Sequence, residues 1–436
     1  MTNKHSIIIV GAGFGGLRAA LFIGRKIKKL KLQEKYGVTL IDRNAYHTYT
    51  PTLYEIAATS KETADYLDLK QIVTFPIEKI ISDLPIRFLH GEITQLDLMN
   101  GDIHCLCAAP SSRQEELKFD YLVLALGSEI NYFDIKGLKE NSFILKGFLD
   151  AIKIRDKIWE LITSGKEIVR IVIGGGGATG VELSGELKEW LCEMKEEVKG
   201  MKCAAQITII EGASTVLSVF TPTIIKRAQK RLSKLGIEVV VNETISNVSP
   251  GKISLKSGKE ISYDVLVWTG GVKAASLVGT LPLKLEKRGR VEVVGEMECL
   301  PQSPDLKLYG KIYGIGDAVC FYDPVSGKPI PGVARAAISQ ANVAAKNIIA
   351  DIMAKENITR NVKRYVYKPM AYPYVIPIGG KYAIAKIGPF VISGLLGWIL
   401  KGLVELNYLI SIIPFGKALK IWLKGLKIFV KNDRLG

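Results

Sequence analysis

Two glycine turns carry the chemistry that can be read first. In IIIVGAGFGG (7–16), Gly11, Gly13 and Gly16 follow a β-branched run at G-x-G-x-x-G spacing; in IVIGGGGATGVELSGEL (171–187), Gly175, Gly177 and Gly180 repeat it. Glycines at these places let a backbone approach a pyrophosphate closely, and the helix that each turn opens aims unpaired amides and a positive dipole end at the phosphates. Each turn also has an acid at the end of a later strand: Asp42, followed by Arg43, after 38–41, and Glu211 after 206–210. A carboxylate there accepts hydrogen bonds from ribose hydroxyls. Asp42 comes somewhat late, which the lysine-rich stretch 25–35 explains as a longer crossover. Glu211 would repel a 2′-phosphate and no arginine follows it in EGAST, so the second turn suits NADH rather than NADPH. Two such units in one chain imply two dinucleotides held together.

The elements that must position these residues follow from the pattern. Helices are expected over 17–31, 150–165 and 181–198, with further strands at 120–127, 168–173, 237–241 and 253–269. Glu182, Glu186 and Glu189 are spaced along one side of the third helix; in its first turn Glu182 also suits the dipole. Trp268 reads as core. The strand within IYGIGDAV (312–319) ends in Gly316-Asp317, and a charge directly after an apolar strand requires a partner. A helix follows at 333–350. The fold class is therefore α/β, two Rossmann-like dinucleotide-binding domains followed by C-terminal amphipathic, membrane-binding helices.

Composition narrows the alternatives. The 436 residues are 48% apolar, ample for two or three domains. Six cysteines (105, 107, 192, 203, 299, 320) include no C-x-x-C pair and no metal-ligand cluster, so no metal site is expected and a reducing compartment fits. The start runs straight into a strand, with no export signal evident. Of the net charge of +16, +7 lies in the last 56 residues, so the basicity is localised and does not suggest a nucleic-acid partner. There Phe415, Leu419, Trp422, Leu426 and Phe429 form one helical stripe, and Lys417, Lys420, Lys424, Lys427 and Lys431 another. An apolar stripe bordered by lysines describes a helix lying in a membrane interface. Before it, 389–413 is apolar but interrupted by Lys401 and Glu405; the uncharged part, 387–400, is too short to span a bilayer and reads as a second interfacial helix.

The segments LIDRNAYHTYTPTLYEIA (40–57), DYLVLALGSEINYF (120–133) and GGGATGVELSGEL (175–187) resemble the type II NADH:quinone oxidoreductases, flavoproteins of the two-dinucleotide-binding superfamily. The departures are small: Pro51-Thr52-Leu53-Tyr54 stands for Pro-Leu-Leu-Tyr, and Ala125-Leu126-Gly127 for Ala-Thr-Gly. The resemblance implies FAD in the first domain, held by 11–16, Asp42, Arg43, Gly127, Gly316 and Asp317, and exchangeable NADH on 174–180 and Glu211. It places Glu182 where nicotinamide meets flavin. Hydride would pass to flavin N5, then two electrons to a quinone, without ion pumping. For the quinone it implies Gln340 and Lys381, and Arg335 where the family commonly has glutamine. The expected division is 1–150 and 276–380 for FAD, 151–275 for NADH and 381–436 for membrane anchoring. The protein would be peripheral on the cytoplasmic face of the cell membrane, compatible with a homodimer. A sulfide:quinone oxidoreductase would need two cysteines at the flavin, where only Cys320 adjoins a flavin motif; a non-catalytic NADH-binding redox sensor is the other alternative. A soluble disulfide reductase lacks support, since no C-x₄-C pair follows the 40s segment.

Overall fold

The computed structural model describes residues 4–108, 112–197 and 204–432. Cys203, residue 198 of the expected third helix and the last four residues of the C-terminal region lie outside these. The helices that matter below are α1 (Phe14–Lys29), α2 (Leu53–Ala57), α3 (Tyr66–Val73), α4 (Phe148–Thr163), α5 (Ala178–Glu197), α6 (Pro222–Lys234), α7 (Ala334–Lys355), α8 (Leu395–Ile412) and α9 (Phe415–Asn432). The chain divides into two compact units. One comprises Met1–His47, Phe75–Glu129 and Val272–Tyr372; the other comprises Thr48–Thr74, Ile130–Gly271 and Pro373–Gly436.

The first unit is built on a seven-stranded sheet with the order Lys311–Gly314, Tyr121–Leu124, His5–Val10, Tyr36–Asp42, Ile86–Asp97, Asp102–Cys107, Gln114–Lys118. The first five strands run parallel and the last two antiparallel. A central parallel strand is covered on both faces, which is why its sequence reads as an unbroken apolar run. Ile7, Ile8 and Ile9 are accordingly fully buried, each contributing about 2 kcal/mol of transfer free energy. Helix α1 packs along α7 above this sheet.

The second unit repeats the plan in a five-stranded parallel sheet, order Phe143–Ile144, Val265–Trp268, Ile168–Gly174, Ala204–Ile210, Glu238–Val240. Trp268 is buried in its core with Leu138, Val172, Ile245 and Leu266, and its Nε1 donates to Asn131 O at 2.9 Å. A three-stranded antiparallel sheet, Tyr374–Pro377, Ala383–Ile387 and Phe390–Gly394, leads into α8. The stretch 389–413 is thus not one helix: its first residues form a strand, and Gly394, at φ +88°, makes the break.

The C-terminal helices also correct the expected faces. By length and composition α8 is apolar enough to cross a membrane, with 22% of it buried. Its charged residues turn inward, and its exposed side carries Leu396, Ile399, Leu403 and Ile410. On α9 the stripe read from the sequence faces partly into the protein. Phe429 is buried, Leu419, Trp422 and Leu426 are half-buried, and Trp422 Nε1 donates to Gly402 O at 2.8 Å. The exposed apolar residues of α9 are Phe415, from that stripe, and Leu423 and Val430, from outside it. Lys424 is spent internally, 2.8 Å from Asp68 on α3.

Candidate nucleotide sites and the buried charge cluster

In the first unit the turn after His5–Val10 closes on itself so tightly that only glycine fits at two places. A Cβ on Gly11, at φ +100°, would lie 2.2 Å from Ala125 O, and one on Gly16 would lie 1.7 Å from Gly11 O. Gly13 differs: a Cβ there would meet nothing within 4 Å. That open space lies at the N-terminus of α1, where helix amides are unpaired and the dipole favours an anion. Asp42 ends its strand with Oδ2 accepting from Ala12 N at 2.6 Å and Oδ1 accepting from Asn44 N at 2.7 Å. Buried His47 braces the turn from beneath, its Nδ1 donating to Ala12 O at 2.9 Å. Burial lowers its pKa, so the ring is held neutral. Arg43 is exposed beside Asp42.

Two further pieces of this unit come from distant sequence. Gly127, at φ +69°, follows the strand Tyr121–Leu124 and has open space at its Cα. Gly316, at φ +74°, donates its N–H to Gln340 Oε1 at 2.8 Å, and Asp317 Oδ2 accepts from Ser128 Oγ at 3.1 Å. The partner required by a charge after an apolar strand is therefore Ser128. Gly332 stands so close to this carboxylate that a Cβ would be 2.6 Å from Oδ1. Gln340 is buried within α7, its amide oxygen spent on the Gly316 turn, whereas Arg335 is exposed in the first turn of the same helix.

The second unit reproduces the first turn almost group for group. A Cβ on Gly175, at φ +115°, would lie 2.6 Å from Gly270 Cα, one on Gly180 would lie 2.0 Å from Gly175 O, and Gly177 is open. Glu211 Oε2 accepts from Gly176 N at 2.6 Å and Oε1 from Ala213 N at 2.7 Å, matching the two bonds of Asp42. The indole of Trp268 presses on this turn, since a Cβ on Gly174 or Gly270 would fall 2.6 or 2.4 Å from its ring.

Glu182, in the second turn of α5, is half-buried. Its pKa is pushed up to about 8 by burial first, with the Lys401 ammonium opposing and the Glu55 carboxylate adding to the shift. Glu55 is buried in α2, which packs against α4 and α5, and forms an ion pair with Lys401 of α8. Lys401 Nζ also lies 5.7 Å from the centre of the Tyr54 ring and 5.2 Å from that of Phe429. One turn on, Glu405 is buried and its pKa is raised by that burial, with Lys401 opposing. Three carboxyl groups thus share one ammonium, and such a group of acids cannot all ionise at low cost.

The cation that acts on Glu182 is Lys401. Lys381 sits after Gly379 and Gly380, in a turn fastened by Arg231. That buried guanidinium donates from Nε to Ile378 O at 3.0 Å and from Nη2 to Gly379 O at 2.7 Å, and pairs with Glu189 at 3.0 Å. Glu55, Lys401 and Arg231 were missed from sequence. For Lys401 a signal existed: two charges four apart in an apolar helix share a face and must turn it toward partners.

Comparison with known proteins agrees with this geometry. The family model described as pyridine nucleotide-disulphide oxidoreductase matches residues 5–341. A type II NADH:quinone oxidoreductase of Mycobacterium tuberculosis is 27% identical over 433 residues, covering 94% of this chain and 85% of that protein. Another, from Haemophilus influenzae, is 28% identical over 376 residues, covering 79% and 80%. These relatives bear out the resemblance carried by 40–57, 120–133 and 175–187. Among solved structures, NDH2 from Plasmodium falciparum in complex with NADH superposes with a TM-score of 0.82 at 19% identity, covering 100% of both chains. The sulfide:quinone oxidoreductase of Aquifex aeolicus shares the fold with a TM-score of 0.72 at 19% identity, covering 97% and 96%. With its paired glycine turns, each tied by a strand-end carboxylate, this chain belongs to the pyridine nucleotide-disulphide oxidoreductase family.

Proposed function

We propose that the protein is a membrane-associated flavoprotein that oxidises NADH and reduces a quinone without pumping ions. The observation that carries this reading is the pair of equivalent turns, one in each unit, each with an open glycine and a carboxylate bound to its amides. In the first unit FAD fits the space at Gly13, with Asp42 toward a ribose and Arg43, Gly127, Gly316 and Asp317 completing the cradle. Bound there, FAD would supply the exchange of a hydride from NADH for two electrons and two protons delivered to the quinone. In the second unit the open turn at Gly177 and the dipole of α5 hold the NADH pyrophosphate, and Glu211, which also accepts from Gly176 N, selects the unphosphorylated ribose. Glu182, with a pKa of about 8, holds a proton at its carboxyl at neutral pH. Glu55 is the counterion of Lys401, whose ammonium opposes the rise in the Glu182 pKa, and Lys381 is the donor to a quinone carbonyl. Arg335 presents an exposed guanidinium for a quinone carbonyl, while Gln340 holds the Gly316 turn.

Membrane attachment rests on the exposed apolar residues of α8 and α9, flanked by Lys417, Lys420, Lys427 and Lys431. We place the protein on the cytoplasmic face, where NADH is available, and infer that a homodimer is compatible with this attachment. Steady-state NADH oxidation with a panel of quinones tests the reading. Rapid turnover with quinone, and slow turnover with NADPH, is expected. Fast bleaching of the flavin absorbance by NADH in a stopped-flow trace supports the reading, bleaching by sulfide the sulfide enzyme, and bleaching by neither the redox sensor. The buried Cys320, whose thiol burial pushes up, offers that chemistry no thiolate.

A further inference from the structure

We infer that α6 is a second, electrostatic attachment of the nucleotide-binding unit to an anionic phospholipid surface, separate from the C-terminal helices. The inference rests on the membrane reading above and extends it to a helix outside them. Helix α6, PTIIKRAQKRLSK, contains three lysines and two arginines and no acid. Its two sides are used differently. Arg231 is buried in the protein, whereas Lys226, Lys230 and Lys234 form an exposed stripe at steps of four, with no acidic partner among the described residues. A stripe of unpaired lysines on a helix without acids is self-repelling, and it gains most from a surface of closely spaced anions.

What lies beside the stripe argues for lipid. Arg227 Nη1 donates to Val391 O at 3.1 Å and to Ser393 Oγ at 2.6 Å, fastening α6 to the strand Phe390–Gly394. That strand begins at Phe390, which is 69% exposed, and runs directly into α8, whose first residues Leu395 and Leu396 are exposed as well. Ile387, across the hairpin from Phe390, is also exposed. Pro222, Thr223, Lys226, Arg227 and Lys230 line an open recess of about 430 Å³. An exposed apolar hairpin tip with ammonium groups next to it has the composition of a bilayer contact: aromatic and aliphatic side chains at the acyl boundary, lysines at the phosphates. A folded acidic protein or a nucleic acid would match the lysines but leave Phe390, Leu395 and Leu396 in water.

The test is co-sedimentation of the full-length, flavin-loaded protein with phosphatidylcholine vesicles and with vesicles of mixed phosphatidylcholine and phosphatidylglycerol. The wild type is expected to prefer the anionic vesicles. The double variant Lys226→Gln with Lys230→Gln should lose about fivefold in that partition for each lysine. Its binding to pure phosphatidylcholine should be unchanged, and the deficit should shrink at high salt. Phe390→Ser should weaken binding to both vesicles. The proposal is overturned if the α6 variant keeps the full anionic preference while Lys420→Gln with Lys427→Gln abolishes it. Failure of the wild type to bind either vesicle would instead remove the membrane reading itself, an outcome distinct from loss of the α6 contribution alone.

Discussion

The two glycine turns share a backbone and differ in what stands two residues after the third glycine. In the first unit that residue is Arg18, whose Nε donates to Asn342 Oδ1 at 2.8 Å within its own unit. In the second it is Glu182, beside Lys401 and Glu55. Burial disfavours the charged form of both, lowering the pKa of Arg18 and raising that of Glu182. The consequences are unequal because of where the two pKa values start. A guanidinium lowered from its ordinary, strongly basic value stays charged at neutral pH, whereas a carboxyl raised to about 8 changes its state near neutrality. One scaffold position thus supplies a fixed charge in one unit and a titratable proton in the other.

The largest effects come from breaking the turns themselves. Gly16→Ala and Gly180→Ala each push a methyl to within about 2 Å of a backbone carbonyl oxygen. Each is expected to cost about 4 kcal/mol or more, read as a fall in Tm and loss of soluble protein. Gly13→Ala and Gly177→Ala are the controls, since neither Cβ meets anything within 4 Å. Stability should move by about 0.5 kcal/mol or less. Gly13→Ala should nevertheless lower flavin content, and Gly177→Ala should raise KM for NADH. If all four alanine variants behave alike, the open glycines are not the phosphate contacts.

Next in size is Glu182→Gln, expected to lower kcat about 100-fold, the lower end for a lost proton-transfer group. The variant should also lose the limb near pH 8 in the pH profile of NADH oxidation. The sign is fixed by the raised pKa. Glu182 is protonated below about pH 8 in the folded protein but ionises near its ordinary value of 4.5 when unfolded. It therefore favours folding most at low pH, and that contribution declines as pH rises from about 4.5 to 8. Glu182→Gln should flatten this dependence, and an unchanged profile would show that another group titrates there. Glu211→Ala is expected to raise KM for NADH about tenfold, from lost hydrogen bonds to a charged group. An unchanged KM would remove Glu211 from the nucleotide site. The smallest effect belongs to Arg18→Ala, which removes one hydrogen bond and should cost about 1 kcal/mol without altering the pH profile.

The parts legible in the sequence were those whose chemistry is local. A strand, three glycines, a helix and a later acid are joined by backbone geometry over some thirty residues, so Asp42 and Glu211 were placed correctly relative to their turns. The α/β class was legible for the same reason, because buried parallel strands demand apolar runs whatever packs on them. Trp268 as core and Asp317 as a charge needing a partner followed from the cost of burying polar groups.

What only the tertiary structure decided were the contacts between segments far apart in the chain. Periodicity found a stripe on α9 but could not say that Phe429 and Trp422 face protein while Phe415, Leu423 and Val430 face outward, because a helix with two apolar sides has two candidate faces. The family resemblance pointed to Lys381 for a quinone, but it gave no sign that Lys401 acts on Glu182. No local rule brings α2, α5 and α8 together; packing does, and it places buried Glu55 with the partly buried Lys401 and Glu182 in one charge cluster. The sequence by itself determined the two nucleotide turns, since their bonds are short-range. The charge cluster that tunes Glu182 was decided by the fold, because burial and opposing charge act through space and not along the chain.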